Sequence, residues 1–429
     1  MLYAGHSRKD ITPPLGTILF GYPNRRPAKE VLDPLTVDAL ALRDGEKFAI
    51  IVSAAILLFD NDRVKLLRAR ISEEIGIPVE SLFLHAIHTH SGPESGLIPG
   101  WSSVNEEYCQ QILEPTTLEA CKEAWANLEP AQLGVASGNS DAAVNRRQVF
   151  RDGTIGLGQN PWGTFDPNMT VLTLRGENGI IANLVHYGCH CTAAGANDEI
   201  TRDWAGVMID RMEEITGGKT MFINGCEGDV GPRLSNGSTA HSTPYLFEMG
   251  ERAAHDAVRI WNTIREYRDA ELQLQSGTQA LDYCPLPDRE AVIAEMENIR
   301  TRGGLEAMNV LQMTHLEKVL EVLDSNQDYP RQRVTRQTVL KLGPVVFIPF
   351  EYEMFCGVSL RLREHSGMPY TLCMSNTNGY LSYFPTKDQI PLGGYEIEDR
   401  KAAGAFVLAD YADDQIVEAN LQIIDAMKK

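Results

Sequence analysis

No apolar run in this sequence reaches the roughly 18 to 20 residues that a bilayer span requires. The longest, FAIIVSAAILLF at 48–59, has the length and branching of a buried strand. Basic residues are scarce: Lys and Arg number 39 against 58 Asp and Glu, a formal charge of −19, and no basic block is present. The electrostatic footprint of a nucleic-acid binder is therefore missing. The opening MLYAGHSRKDITPPLG lacks the charged and then apolar regions of a secretory signal, which predicts a cytoplasmic protein. Eight cysteines (109, 121, 189, 191, 226, 284, 356 and 373) fall at irregular spacings without a CxxC pair. That distribution argues against a disulfide frame or a zinc knuckle and for reduced, mostly buried thiols, with Cys189 and Cys191 set apart because they flank His190.

What is present describes a globular chain. At 429 residues, 43% hydrophobic and 23% charged, it can build two or three cores, or one large α/β unit with a satellite. Strand-like runs occur at 47–57, 81–88, 131–137, 169–175, 179–187, 219–224, 272–283, 335–341, 344–349 and 370–375. Helical periodicity occurs at 62–75, 105–127, 203–216, 244–267, 287–300, 304–324, 351–364 and 403–427. The interleaving predicts mixed α/β layers. Residues 285–330 differ: two charged amphipathic helices are broken by TRGG with no strand between, which predicts an inserted helical hairpin. Such a hairpin can be a lid, an interface or a surface excursion without a role in chemistry.

Only ten histidines are available, and three fall in LHAIHTHSGPESG, residues 84–96. In a strand His88 and His90 project to one face, which suits a metal or an anion-stabilising site. An isolated HxH fits equally well with imidazoles that hydrogen-bond in a polar crevice. A second cluster, NLVHYGCHCTAAGANDEITRDWAG, offers His186, His190 and Asp203; the aspartate fits either a helix N-cap, worth about 1 kcal/mol, or a catalytic acid. A third, TMFINGCEGDVGPR, carries Glu227, Asp229 and three glycines, which permit either close backbone approach to a ligand oxygen or a plain tight turn. In PVVFIPFEYEMF a buried strand delivers Glu351 to an expected helix start, where the helix dipole or a metal would stabilise it. NTNGYLSYFPTKDQIPLGGYE adds Tyr380, Tyr383 and Tyr395. Five strand-to-loop transitions thus end in groups able to hold a metal or move protons, the set a zinc site with an open water position draws upon.

The motifs AGHSRKDITPPLGTILFGY, HTHSGP, VNRRQ, HYGCHCT with TRDWAG, NGCEGDVGP, IPFE, and YFPT with GGYE occur in an order that resembles the catalytic domain of neutral ceramidases over essentially the whole chain. The resemblance implies a zinc amidohydrolase domain of mixed β-sheets packed with helices, spanning 1–429, without the C-terminal immunoglobulin-like domain of the larger enzymes. It implies one Zn²⁺ per chain on His88, His190, Glu351 and Tyr383, although manganese or iron suits such ligands too. It implies that His90 contacts the reacting oxygen and that Arg146 and Tyr395 orient substrate or stabilise an oxyanion. His186 has no counterpart in it. One departure stands out: the serine of the family's GDxSP turn is Gly231 here. The expectation is a hydrolase that uses metal-activated water on an amide or related carbonyl bond of a small molecule, with Asp203 or Asp229 taking the proton. Ceramide is disfavoured by Gly231 and the missing signal, and esters, lactones or sugar derivatives stay open. The alternative is a non-catalytic binding or regulatory descendant that keeps the pocket.

Overall fold

The computed structural model describes residues 1–234, 243–325 and 327–428. Three larger sheets organise it. One runs Leu82–Ala86, Lys47–Ala54, Thr36–Asp44, Leu2–Asp10 and Glu129–Pro130; a second runs Lys219–Asn224, Gly179–Tyr187, Asn168–Gly176 and Gln132–Asn139. The third runs Leu272–Asp282, Gln332–Leu342, Val345–Pro349 and Tyr370–Met374. Each is antiparallel except at one edge, where the last two strands are parallel: Leu82–Ala86 beside Lys47–Ala54, Lys219–Asn224 beside Gly179–Tyr187, and Tyr370–Met374 beside Val345–Pro349. Parallel strands open crevices beyond their carboxyl ends. From these edges the chain continues into residues 87–90, 188–191, 225–229, 350–353 and 375–380.

Alternation along the strands explains how the sheets meet. Leu40, Leu42, Ile51 and Phe83 of the first share one apolar cluster with Leu172, Leu184, Met221 and Ile223 of the second and Leu340, Phe347 and Leu372 of the third. Helices cover the outer faces: Asn61–Ile75, Glu114–Ala126, Asp203–Thr216 and Thr243–Trp261 on one side, Cys356–His365 and Ala412–Ala426 on the other. The Asn61–Ile75 helix has the expected punctuation, with Asp60 accepting from the amides of Asp62 and Arg63 and Gly76 ending it in the left-handed region at φ 79°. Arg289–Thr301 and Glu306–Asp324 pack on each other through Val292, Met296, Ile299, Leu316 and Val319. Residue 326, within the span expected as a hairpin, lies outside the described residues. No helix among the described residues is long and apolar enough to cross a membrane.

Two helices start later than the periodicity predicts, at Cys356 rather than 351 and at Ala412 rather than 403. Among the described residues, four strands of six or more residues went unpredicted: Leu2–Asp10, Thr36–Asp44, Ala143–Val149 and Ile155–Asn160. The first two are masked by buried charge, since Asp38 receives bonds from His6 Nε2 at 2.9 Å and Arg8 Nε at 2.7 Å inside the sheet pair.

Candidate metal centre

His88 follows the Leu82–Ala86 strand by two residues and adopts φ 68°, a left-handed conformation rare for a residue with a side chain. Its amide donates to Ile56 O at 3.0 Å and its Nδ1 to Leu57 O at 2.9 Å. His190, just past the Gly179–Tyr187 strand, donates from Nδ1 to Glu227 O at 2.8 Å and Val230 O at 3.1 Å. A carbonyl can only accept, so both rings carry their proton on Nδ1 when neutral and present the Nε2 lone pair inward. Both lone pairs face one carboxylate oxygen, Glu353 Oε2, at 3.4 Å from His88 and 3.0 Å from His190. Three acceptors directed at one another repel unless a cation lies among them, so the donor set fits a divalent metal.

Glu353 reaches this position because Glu353–Met354 forms a short parallel pair with Tyr383–Phe384, placing Glu353 opposite Tyr383. Its Oε1 accepts from Tyr380 Oη at 2.8 Å. His90 completes a triangle of imidazoles, 5.0 Å from the His88 ring and 5.8 Å from that of His190. Both its nitrogens are buried without a partner among the described residues. Gly21, at φ 107°, backs this ring so closely that a Cβ would lie 2.5 Å from it. Glu227 is buried beside His88 and Glu353; Asn376 Nδ2 donates to its Oε1 at 2.6 Å, and its Oε2 is unpartnered among the described residues. Burial pushes its pKa up to about 8.

The sequence matches no family model and no curated protein. Solved structures do match. A ceramidase complexed with C2 aligns with TM-score 0.75 and 16% identity over 100% of this chain and 75% of its own. The neutral ceramidase of Pseudomonas aeruginosa aligns with TM-score 0.74 and 18% identity over 99% of this chain and 75% of its own. The chain has the neutral-ceramidase fold.

Within the ceramidase fold the other expected site residues divide. Arg146 is buried, donating from Nη2 to Tyr383 Oη at 2.9 Å and from Nε to Glu396 Oε1 at 3.0 Å. Glu396 also accepts from Arg147 Nη1 at 2.7 Å, so it fixes the arginine. The Tyr395 ring lies 5.6 Å from that of Tyr383 and 6.0 Å from Trp101, forming an aromatic wall beside Arg146. Asp203, at φ 58°, accepts from the amides of Ala193, Ala194 and Trp204 at 2.8–2.9 Å. Asp229 accepts from the amide of Cys356 at 2.7 Å, the first residue of the Cys356–His365 helix. Both acids expected to move protons are instead clamped on backbone amides, pinning the loops that carry His190 and Glu353.

Glu351 is the clear correction. It lies in a separate cleft and accepts from Arg333 Nη2 at 2.7 Å. Because the helix begins at Cys356, residues 350–352 form a bend that turns Glu351 outward, and the carboxylate facing the imidazoles is Glu353. His186 donates from Nε2 to Cys373 O at 2.7 Å, on the neighbouring edge strand of another sheet. Gly231 lies opposite Val144, and a Cβ there would meet Arg146 Cβ at an ordinary 3.5 Å. Sequence reasoning singles out Tyr380 without giving it a role, and does not assign Glu353, Asn376 or Glu396 to the site. Glu353 and Glu396 both sit in stretches that the sequence points to, EYE and GGYE, two residues from Glu351 and next to Tyr395.

Proposed function

We propose that the protein is a metal-dependent hydrolase that cleaves an amide bond of a small N-acyl compound. The observation that carries this is the convergence of His88 Nε2, His190 Nε2 and Glu353 Oε2 as three mutually facing acceptors. These side chains hold the cation, with Tyr383 the expected phenol at its edge; zinc suits imidazole and carboxylate ligands best, and manganese or iron would also be accepted. Such a cation supplies Lewis acidity and lowers the pKa of water toward about 7.

The chain's own groups do the rest. Arg146, oriented by Glu396, and Tyr395, packed on Tyr383, present donors to an oxygen that gains charge as the carbonyl is attacked. His90, whose nitrogens bond no other group among the described residues, contacts the reacting oxygen. With Asp203 and Asp229 committed to amides, Glu227 is the carboxylate with an oxygen available for proton transfer. With Gly231 in place of the serine that the resemblance implies, no hydroxyl stands beside Arg146, and on that ground we favour an acyl compound other than ceramide. All eight thiols are free, which supports a reducing, cytoplasmic setting.

Metal analysis joined to a screen of N-acyl compounds, esters and lactones tests the reading. The expected result is one divalent cation per chain and turnover of an N-acyl compound, with His190→Ala losing both. A metal-free protein as isolated would sink the metal assignment. Metal without turnover would make the protein a binding protein.

A further inference from the structure

On the other side of the 350–352 bend from the imidazoles lies a cleft of about 230 Å³, bounded by the Leu272–Asp282 and Gln332–Leu342 strands and by residues 377–378. Its lining mixes apolar side chains such as Phe83 and Ile416 with buried polar ones, where a sheet face under a helix is ordinarily apolar. Gln279 is 6% exposed and its Nε2 has no partner among the described residues; Gln337 is 8% exposed and its Oε1 has none. The buried Nε of Arg68 is likewise unpartnered there. Buried polar groups left unpaired are costly, so their concentration around one cleft calls for a polar occupant.

The charged groups lining the cleft are Arg68, Arg333 and Arg336 against Glu80 and Glu351. Arg68 spends one donor on Val79 O at 2.9 Å, and Arg333 spends one on Glu351. Three guanidinium groups therefore face two carboxylates, and the unpartnered Gln279 Nε2 adds a further donor. Guanidinium groups match the paired oxygens of carboxylates and phosphates. We propose that this cleft is a binding site for a small oxyanion, a carboxylic acid or a phosphate, held by Arg68, Arg333 and Gln279. The ligand competes with Glu351 for Arg333, a partly exposed ion pair that opens at little cost. This inference does not depend on the hydrolase reading.

Isothermal titration of the full-length protein with inorganic phosphate and, separately, with succinate tests it. Saturable binding of at least one anion is expected, weakened at least tenfold in both Arg333→Gln and Gln279→Leu, and tightened in Glu351→Gln, which releases Arg333. The anion that binds identifies the source, phosphate or carboxylate. Phosphate held at the metal centre would be indifferent to both substitutions. Absence of saturable binding to the wild type, or wild-type affinity in both variants, overturns the proposal. If one variant fails to fold, the other and Glu351→Gln decide it.

Discussion

At the scale of single residues, Glu353 and Glu351 offer the sharpest contrast. Glu353→Gln removes the negative charge that two imidazole lone pairs face, and metal affinity should fall by roughly 100-fold or more. Glu351→Gln breaks only a part-exposed ion pair, so metal content should be unchanged and stability within about 1 kcal/mol of wild type. Metal titration and urea unfolding of both variants check this pair of outcomes. Tyr395→Phe should retain metal yet lower turnover by about 100-fold, the scale of one lost oxyanion donor. Loss of metal in that variant would show that Tyr395, not Tyr383, belongs to the ligand set. The imidazoles were legible in the sequence because HxH and HYGCHC each follow an apolar run, but their direction was not, since His88 and His190 lie past their strands and His88 adopts φ 68°. The acid was not, because EYE offers two glutamates of the same parity and only the late helix start decides which one turns inward.

Between elements, the two helices Asp203–Thr216 and Thr243–Trp261 meet at Gly250. A Cβ there would lie 2.3 Å from Val207 Cβ and 2.8 Å from Trp204 O. Alanine is the better helix former by about 1 kcal/mol, but the overlap dominates, and Gly250→Ala should destabilise by about 1–3 kcal/mol in urea unfolding. The strain also reaches the site, since Trp204 Nε1 donates to His190 O at 2.9 Å. Strands such as Gly179–Tyr187 and the edge strand Lys219–Asn224 were readable from their apolar runs. Strands whose inward residues are charged and paired across the sheet, such as Leu2–Asp10, were not, because a period-two hydrophobic signal cannot register His6 and Arg8 neutralised by Asp38. Sheet order was also invisible, since pairing between distant segments leaves no local pattern.

For the molecule as a whole, buried acids set part of the pH response. Asp399 is buried with its carboxylate accepting from Ser382 Oγ at 2.7 Å, and burial pushes its pKa up to about 7 from 3.8. The folded chain therefore holds a proton that the unfolded chain releases at about pH 4, so the stability this group contributes is present below pH 4 and lost as pH rises through 7. Asp399→Asn, which mimics the protonated form, should gain on the wild type by at least about 1 kcal/mol between pH 5 and pH 8 in unfolding experiments. An unchanged difference would mean the carboxylate stays ionised throughout.

Three separate sheet edges each contribute to one small polar knot: His88 from the first, His190 from the second, Glu353 from the third. The cation proposed for this knot would act as a keystone, tying segments more than a hundred residues apart in sequence and lending its binding energy to the architecture. Chemistry and tertiary assembly then share a single fastening, and neither can be loosened without the other.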